Sequence, residues 1–172
     1  MVLCVLAAPR LAHALSTDRD QPMQIEADNM VLNDKIHENI YTGNVVVTQG
    51  SLRITGNKLI VHYTENNDLK DAVMLGTPAH FRQLPDGKKV YQKGEALRME
   101  YYRDKDMLYL IDKAKVTEGD KLLSGHRIVY DTKKSVVTAR RATAEEKKKG
   151  AAGAGSGRVK VIIPPKKKQG EK

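Results

Sequence analysis

An all-β architecture of repeated antiparallel strands is the fold class this sequence predicts, and three observations predict it. Apolar and polar residues alternate with period two in one short stretch after another between Met23 and Ala139, the signature of half-buried strands. Turn-forming clusters such as TG, QG, ENND, PDGK, YRDKD, EGD and DTKK punctuate those stretches. No window in the same span carries a helical apolar stripe, which argues against a fold built on crossover helices. An antiparallel sandwich, a jelly roll or a barrel remains.

The elements follow in order. Met23 and Ile25 alternate with Gln24 and Glu26, and Met30 and Leu32 follow. NVVVT and SLRIT come next, and then KLIVHY, which sets Leu59, Val61 and Tyr63 on one face against Lys58, Ile60 and His62 on the other. AHFRQ repeats the pattern, Ala79 and Phe81 against His80 and Arg82. ALRMEYY, DMLYLI, KAKVT, RIVYD and SVVTA continue it. Phe81 is the only Phe and Trp is absent, so the core rests on Val, Ile, Leu, Met and Tyr.

The chain also repeats itself. A shift of 69 positions lays Glu26-Ala27 on Glu95-Ala96, Met30 on Met99, VTQG (47–50) on VTEG (116–119), Gly56 on Gly125 and Leu59 on Ile128. A fainter echo at 29 positions lays ADNMVL over GNKLIV. A strand–turn–strand unit has one apolar face and cannot bury it alone. Stacked units bury a continuous, elongated core.

The chain has 172 residues and a net charge of +9, and the charge is unevenly spread. Residues 15–141 hold 20 Lys and Arg against 18 Asp and Glu, and residues 142–172 hold 9 against 3. A nucleic-acid domain would more often carry its charge on the folded body, so no nucleic-acid partner is expected. Residues 1–14, MVLCVLAAPRLAHA, read as a signal peptide lacking its upstream part and cleaved after Ala14. Cys4, the only Cys, falls within it. A domain over 15–141 and a basic Gly/Ala/Lys-rich tail over 142–172 follow, with a possible helical turn at 144–149 and a possible last strand at 158–163.

Catalytic signals are poor. No Ser sits in a G-x-S-x-G elbow, and the five His (His13, His37, His62, His80 and His126) lack metal-ligand spacing. His62 and His80 read as solvent-face residues. The glycines do not form a phosphate loop. No enzyme activity, metal or cofactor is expected. What stands out is an apolar face that includes Met23, Ile25, Leu59, Val61, Phe81, Met99 and Tyr101. If the sandwich is open, that face can hold acyl chains, each buried CH₂ contributing about 0.8 kcal/mol. The same pattern also suits a closed, dry core.

QPMQIEADNMVLND followed by YTGNVVVTQGSLRITGNKLIVHY, then GTPAHFRQ, GEALRMEYYRDKDMLYLIDKAKV and GHRIVYD, resembles the OstA-like family of lipopolysaccharide-transport proteins from about Asp20 to Arg141. The resemblance implies a twisted, open β-jelly roll, a V-shaped β-sandwich, in the periplasm of Gram-negative bacteria. It implies a bridge that takes lipopolysaccharide from an inner-membrane export complex to an outer-membrane translocon. Copies would associate end to end, with acyl chains in an apolar groove. Met23 and Ile25 then line the first strand of the groove, and Phe81 and Tyr101 match aromatic positions further along. Arg19 and Arg103 depart from the family pattern and are placed at the rim, near lipid phosphates. Two alternatives stand beside this reading: an adaptor that pairs edges without carrying lipid, and the related membrane-anchored inner-membrane component.

Overall fold

Long alternating segments joined by tight turns satisfy their backbone groups most simply by pairing each with the next, and the chain does so from residue 29 to residue 140. A computed structural model of the protein describes residues 18–85, 87–131, 133–134, 136–148 and 158–165. The stretch 1–14, with its expected leader and Cys4, and the glycine-rich run 149–157 lie outside the described residues.

The described residues begin with a short 3-10 helix, Asp18–Asp20. The strands are β1 (Gln24–Glu26), β2 (Asn29–Asn33), β3 (Glu38–Gln49), β4 (Leu52–Tyr63), β5 (Leu69–Gln83), β6 (Gln92–Tyr102), β7 (Met107–Glu118), β8 (Lys121–Asp131), β9 (Val136–Arg140) and β10 (Lys160–Ile162). A five-residue helix, α1 (Ala144–Lys148), lies between β9 and β10. Among the described residues these ten strands form one antiparallel sheet in the order β1-β3-β4-β5-β6-β7-β8-β10, with β2 also on β3 and β9 also on β8. No ladder joins the first and last strands. The sheet is therefore open and jelly-roll-like, not a barrel.

Every long strand changes register near its middle. The ladders slip between Thr42 and Val45 on β3, Thr55 and Lys58 on β4, Leu75 and Ala79 on β5, Glu95 and Arg98 on β6, and Ile111 and Ala114 on β7. Such bulges bend the strand that carries them. Aligned across the sheet they make a crease that divides it into two half-sheets. The first contains 38–42 of β3, 58–63 of β4, 69–75 of β5, 98–102 of β6, 107–111 of β7 and 127–131 of β8, with β2 and β9 at its edges. The second contains the other halves of the same strands, with β1 and β10 at its edges. One hydrophobic cluster draws on both halves: Leu59, Val61, Met74, Met99, Leu110 and Ile128 from the first, and Val45, Val47, Ala79, Phe81 and Ala114 from the second. The crease itself is filled by small residues, with Ala79, Ala96 and Ala114 almost wholly buried.

The internal repeat is a backbone repeat. β3, moved by 69 positions, falls on β7 end for end, and β4 falls on β8. Backbone conformation repeats with it. His37 and Asp106 both have φ 51, Gly50 and Gly119 have φ 56 and 58, and the bulge residues Gly43 and Asn44 match Asp112 and Lys113, all with positive φ. At the N-terminal side, buried Asp18 ties the 3-10 helix to the turn between β3 and β4. It accepts hydrogen bonds from the Ser51 amide at 2.8 Å and the Ser51 hydroxyl at 2.6 Å. Past Arg141, the described residues return to the sheet, where β10 pairs with β8 through Ile162 opposite Leu122.

Candidate functional site

Two apolar rows face the interior, each crossing the molecule from edge to edge. In the first half-sheet, residues paired strand by strand are Met30, Tyr41, Leu59, Met74, Met99, Leu110, Ile128 and Ala139. In the second they are Ile25, Val47, Ile54, Phe81, Gly94, Val116, Leu123 and Val161. Period-two geometry places all members of a row on one face of the sheet. Gly94 is the small member because the Phe81 ring occupies its place: a Cβ there would run into Phe81 Cε1.

Neither row ends in a polar cap. Met30 is 55% exposed on β2 and Val161 is 59% exposed on β10. Val31, Leu32 and Ile36 near one edge, and Val136, Val137, Val159, Ile162 and Ile163 near the other, are also exposed. The middle differs. Leu59, Val61, Met99 and Phe81 are 3–8% exposed, so here the two half-sheets are packed together. Burial beside Tyr63 pushes the Tyr41 phenol above its ordinary pKa, as expected for a group facing an apolar interior.

Of the residues singled out from the sequence, Leu59, Val61, Phe81 and Met99 are core members, and Ile25 packs against them. Tyr101 is half-buried and stands in register with Ala72 and Leu108, both packed on the core. Met23 precedes β1 and is 46% exposed, so it stands apart from the row that begins at Ile25. Met74, Leu110 and Ile128 on one side, and Ile54, Val116 and Leu123 on the other, complete the rows but were not among the face residues singled out from the sequence, although the repeat already laid Ile128 on Leu59 and Val116 on Val47. The same 69-residue shift maps Tyr41 to Leu110.

Polar groups sit elsewhere. On the outer face of the first half-sheet, His62 lies between Asp71 (Nδ1 to Oδ1, 2.6 Å) and Glu38 (Nε2 to Oε2, 3.0 Å), linking β3, β4 and β5. Arg103 lies in the turn between β6 and β7, its amide donating to the Lys70 carbonyl. His126 is buried at the crease, 3% exposed. Its Nδ1 is 3.1 Å from Asp112 Oδ1, but these atoms are not aligned for a hydrogen bond. The contact is therefore one of proximity. Among the described residues no group of three or more His, Cys, Asp or Glu is placed to hold a metal ion.

The fold and the sequence are shared with known proteins. The family described as LptA/(LptD N-terminal domain) LPS transport protein matches residues 24–136. The lipopolysaccharide export system protein LptH of Pseudomonas aeruginosa is 37% identical over 158 residues, covering 92% of this chain and 87% of the relative. LptA of Escherichia coli K12 is 34% identical over 136 residues, covering 78% and 73%. LptA of Haemophilus influenzae is 35% identical over 138 residues, covering 78% and 79%. The crystal structure of LptH, described as the LptA-homologous periplasmic component of the lipopolysaccharide transport device of P. aeruginosa, superposes with a TM-score of 0.76 at 34% identity. It covers 87% of this chain and 99% of that one. With the family matched over most of the chain and the fold shared with a solved relative, this protein belongs to the LptA/LptD N-terminal domain family of lipopolysaccharide-transport proteins.

Proposed function

We propose that this periplasmic component of lipopolysaccharide transport carries the acyl chains of lipopolysaccharide in the interior between its half-sheets. It passes them, without making or breaking a bond, from an inner-membrane export complex toward an outer-membrane translocon. It is a transport component and not an enzyme, as its family membership indicates. The observation that carries the reading is the pair of uninterrupted apolar rows, the first exposed at Met30 on one edge and the second at Val161 on the other, while their opposite ends, Ala139 and Ile25, pack on the core. A second copy, or a partner domain of the same fold, could pair with β1 and β2 at one end and with β9 and β10 at the other. Edge strands offer unpaired backbone groups for such addition, and it would extend both rows. Acyl chains then need room between the half-sheets. The sheet is open away from the crease, so the halves can part without breaking a ladder.

The tight packing of Leu59, Val61, Phe81 and Met99 favours a second reading, an adaptor that pairs edges with a permanently closed interior. Photo-crosslinkers at positions 25, 81 and 101, with detection of attached lipopolysaccharide, separate the two. Adducts from all three positions are expected of a carrier. Assembly into elongated particles with no adduct from any of them would establish the adaptor.

A further inference from the structure

The outer face of the second half-sheet carries a shallow concavity of about 520 Å³, floored in part by Phe81 and Gly94 of the interior row and otherwise lined by polar residues that the transport reading leaves unused. Arg53, Arg82 and Lys93 stand directly opposite one another on β4, β5 and β6, with strands about 4.8 Å apart. All three are exposed. Among the described residues none of them has a carboxylate within ion-pair distance. Like charges placed opposite one another across a sheet repel, so this row is a cost to the isolated fold.

The neighbouring row is different. Lys115 Nζ lies 2.6 Å from Glu95 Oε1, and His80 Nδ1 lies 3.8 Å from Glu95 Oε2. One carboxylate thus offsets part of the charge, and the concavity as a whole stays cationic. Thr55 and Thr117 add hydroxyl groups to its lining. The Arg82 guanidinium rests 5.3 Å from the centroid of the Tyr91 ring, a contact that limits the freedom of its side chain. On the first half-sheet, by contrast, Arg98 pairs with Glu100, and Arg140 with Glu146.

We infer that this outer concavity binds the phosphate groups of a phosphorylated saccharide. Clustered guanidinium and ammonium donors around hydroxyls suit phosphate oxygens. A hollow of this size takes a discrete ligand in preference to a flat membrane surface. The inference rests on the lipopolysaccharide reading for the source of the saccharide. It places a second contact on the face opposite the acyl interior, where the polar part of a lipid carried by this or a neighbouring copy can be held.

The test uses the folded protein and deacylated lipopolysaccharide, which keeps the phosphates and cannot occupy the apolar interior. Calorimetric titration should show binding that weakens as salt shortens the screening length, about 10 Å at 0.1 M. The triple variant Arg53→Gln, Arg82→Gln, Lys93→Gln should bind about tenfold more weakly, and each single variant about twofold. Lys134→Gln, outside the concavity, should change nothing. Far-ultraviolet circular dichroism checks that each variant is folded, and the single variants serve if the triple variant is not.

Equal affinity of the wild type and the folded variants would overturn the inference. So would undiminished binding of the dephosphorylated saccharide, competition by inorganic phosphate at equal molarity, or a preference for phosphatidylglycerol vesicles. Acyl crosslinking from position 25, which is not part of the concavity, is read separately. If it persists while saccharide binding fails, this inference alone falls. If it is lost while saccharide binding persists, the carrier reading alone falls.

Discussion

The bulge on β3 and the bulge on β7 share a backbone and differ in what holds it. Gly43 and Asn44 have φ 79 and 44; the matching Asp112 and Lys113 have φ 62 and 54. On β3 the anchor is local and close-packed. The Asp28 amide donates to the Gly43 carbonyl at 3.0 Å, and Asn44 Nδ2 donates to Asp28 Oδ2 at 2.9 Å. A Cβ at position 43 would run into the Asp28 carboxylate. On β7 an aspartate replaces the glycine, and its carboxylate faces buried His126. Beyond the ring, Glu146 Oε2 is 3.5 Å from His126 Nε2. Arg140 grips Glu146 through two bonds of 2.7 Å, and the Thr143 amide donates to it at 2.7 Å. The sheet thus sets the shape of the crease and leaves its chemistry free to vary. A polar, tightly fitted contact secures the N-terminal end, and a chain of ionisable groups secures the C-terminal end.

The strongest way to break the comparison is at its glycine. Gly43→Val places a β-branched residue at positive φ against Asp28 and should cost about 2–4 kcal/mol, read as a lower denaturation midpoint. Asp112→Gly at the matching site relieves positive φ while removing the acid beside His126. Its cost should be less than half as large. Equal costs would mean that the two bulges are held in the same way.

A smaller effect is expected at the helix that closes the C-terminal end. Thr143 and Glu146 form a capping box, each side chain bonded to the other's amide. Thr143→Ala should cost about 1 kcal/mol. The effect should be local: amide exchange in β10 speeds up and exchange in β1 does not. Equal changes at both ends would show that the ends are not secured independently.

The smallest effects are in pH dependence, and they have opposite signs. The Arg140 pair, followed by the Thr143 amide, holds the Glu146 carboxyl well below its ordinary value of 4.5. A depressed carboxyl stabilises above its unfolded pKa, and that contribution fades as pH falls through the folded value. Acid should therefore loosen β10 before β1, and Glu146→Gln should remove that difference. His62 is raised above 6.5, chiefly by its bond to Asp71, against burial and with help from Glu38. A raised histidine stabilises fully below its unfolded pKa, and the contribution is lost as pH rises through the folded value. Its partial exposure keeps the effect small. Ring titration by NMR should place the His62 midpoint above that of a free histidine, and Asp71→Asn should lower it.

Much of this design was legible before any coordinates. Alternation located the strands, and the repeat anticipated the equivalence of β3 and β4 with β7 and β8. Leu59, Val61, Phe81 and Met99 were assigned inward, where they lie. The phase slips were harder to see. On β4 the inward positions run 54, 56, then 59 and 61; on β6 they run 94, 96, then 99 and 101; on β8, 123, 125, then 128 and 130. A period-two reading of each half is right, but nothing local says that the halves belong to one strand bent at a bulge. His126 shows the same limit. It was one of five scattered histidines in the sequence. It is buried between elements that meet only in the fold, with Asp112 on β7 and Glu146 on α1, 14 and 20 positions away, flanking its ring.

Alternation and turn chemistry act between near neighbours. They were enough to specify strands, an open all-β class and an apolar face, because each strand's two faces differ along a few residues. The crease, the two opposed rows, and the outer row of Arg53, Arg82 and Lys93, which has no carboxylate partner among the described residues, arise only when separate strands come into register. Whether neighbouring charges cancel or accumulate depends on that register, and pairing geometry sets it across the sheet.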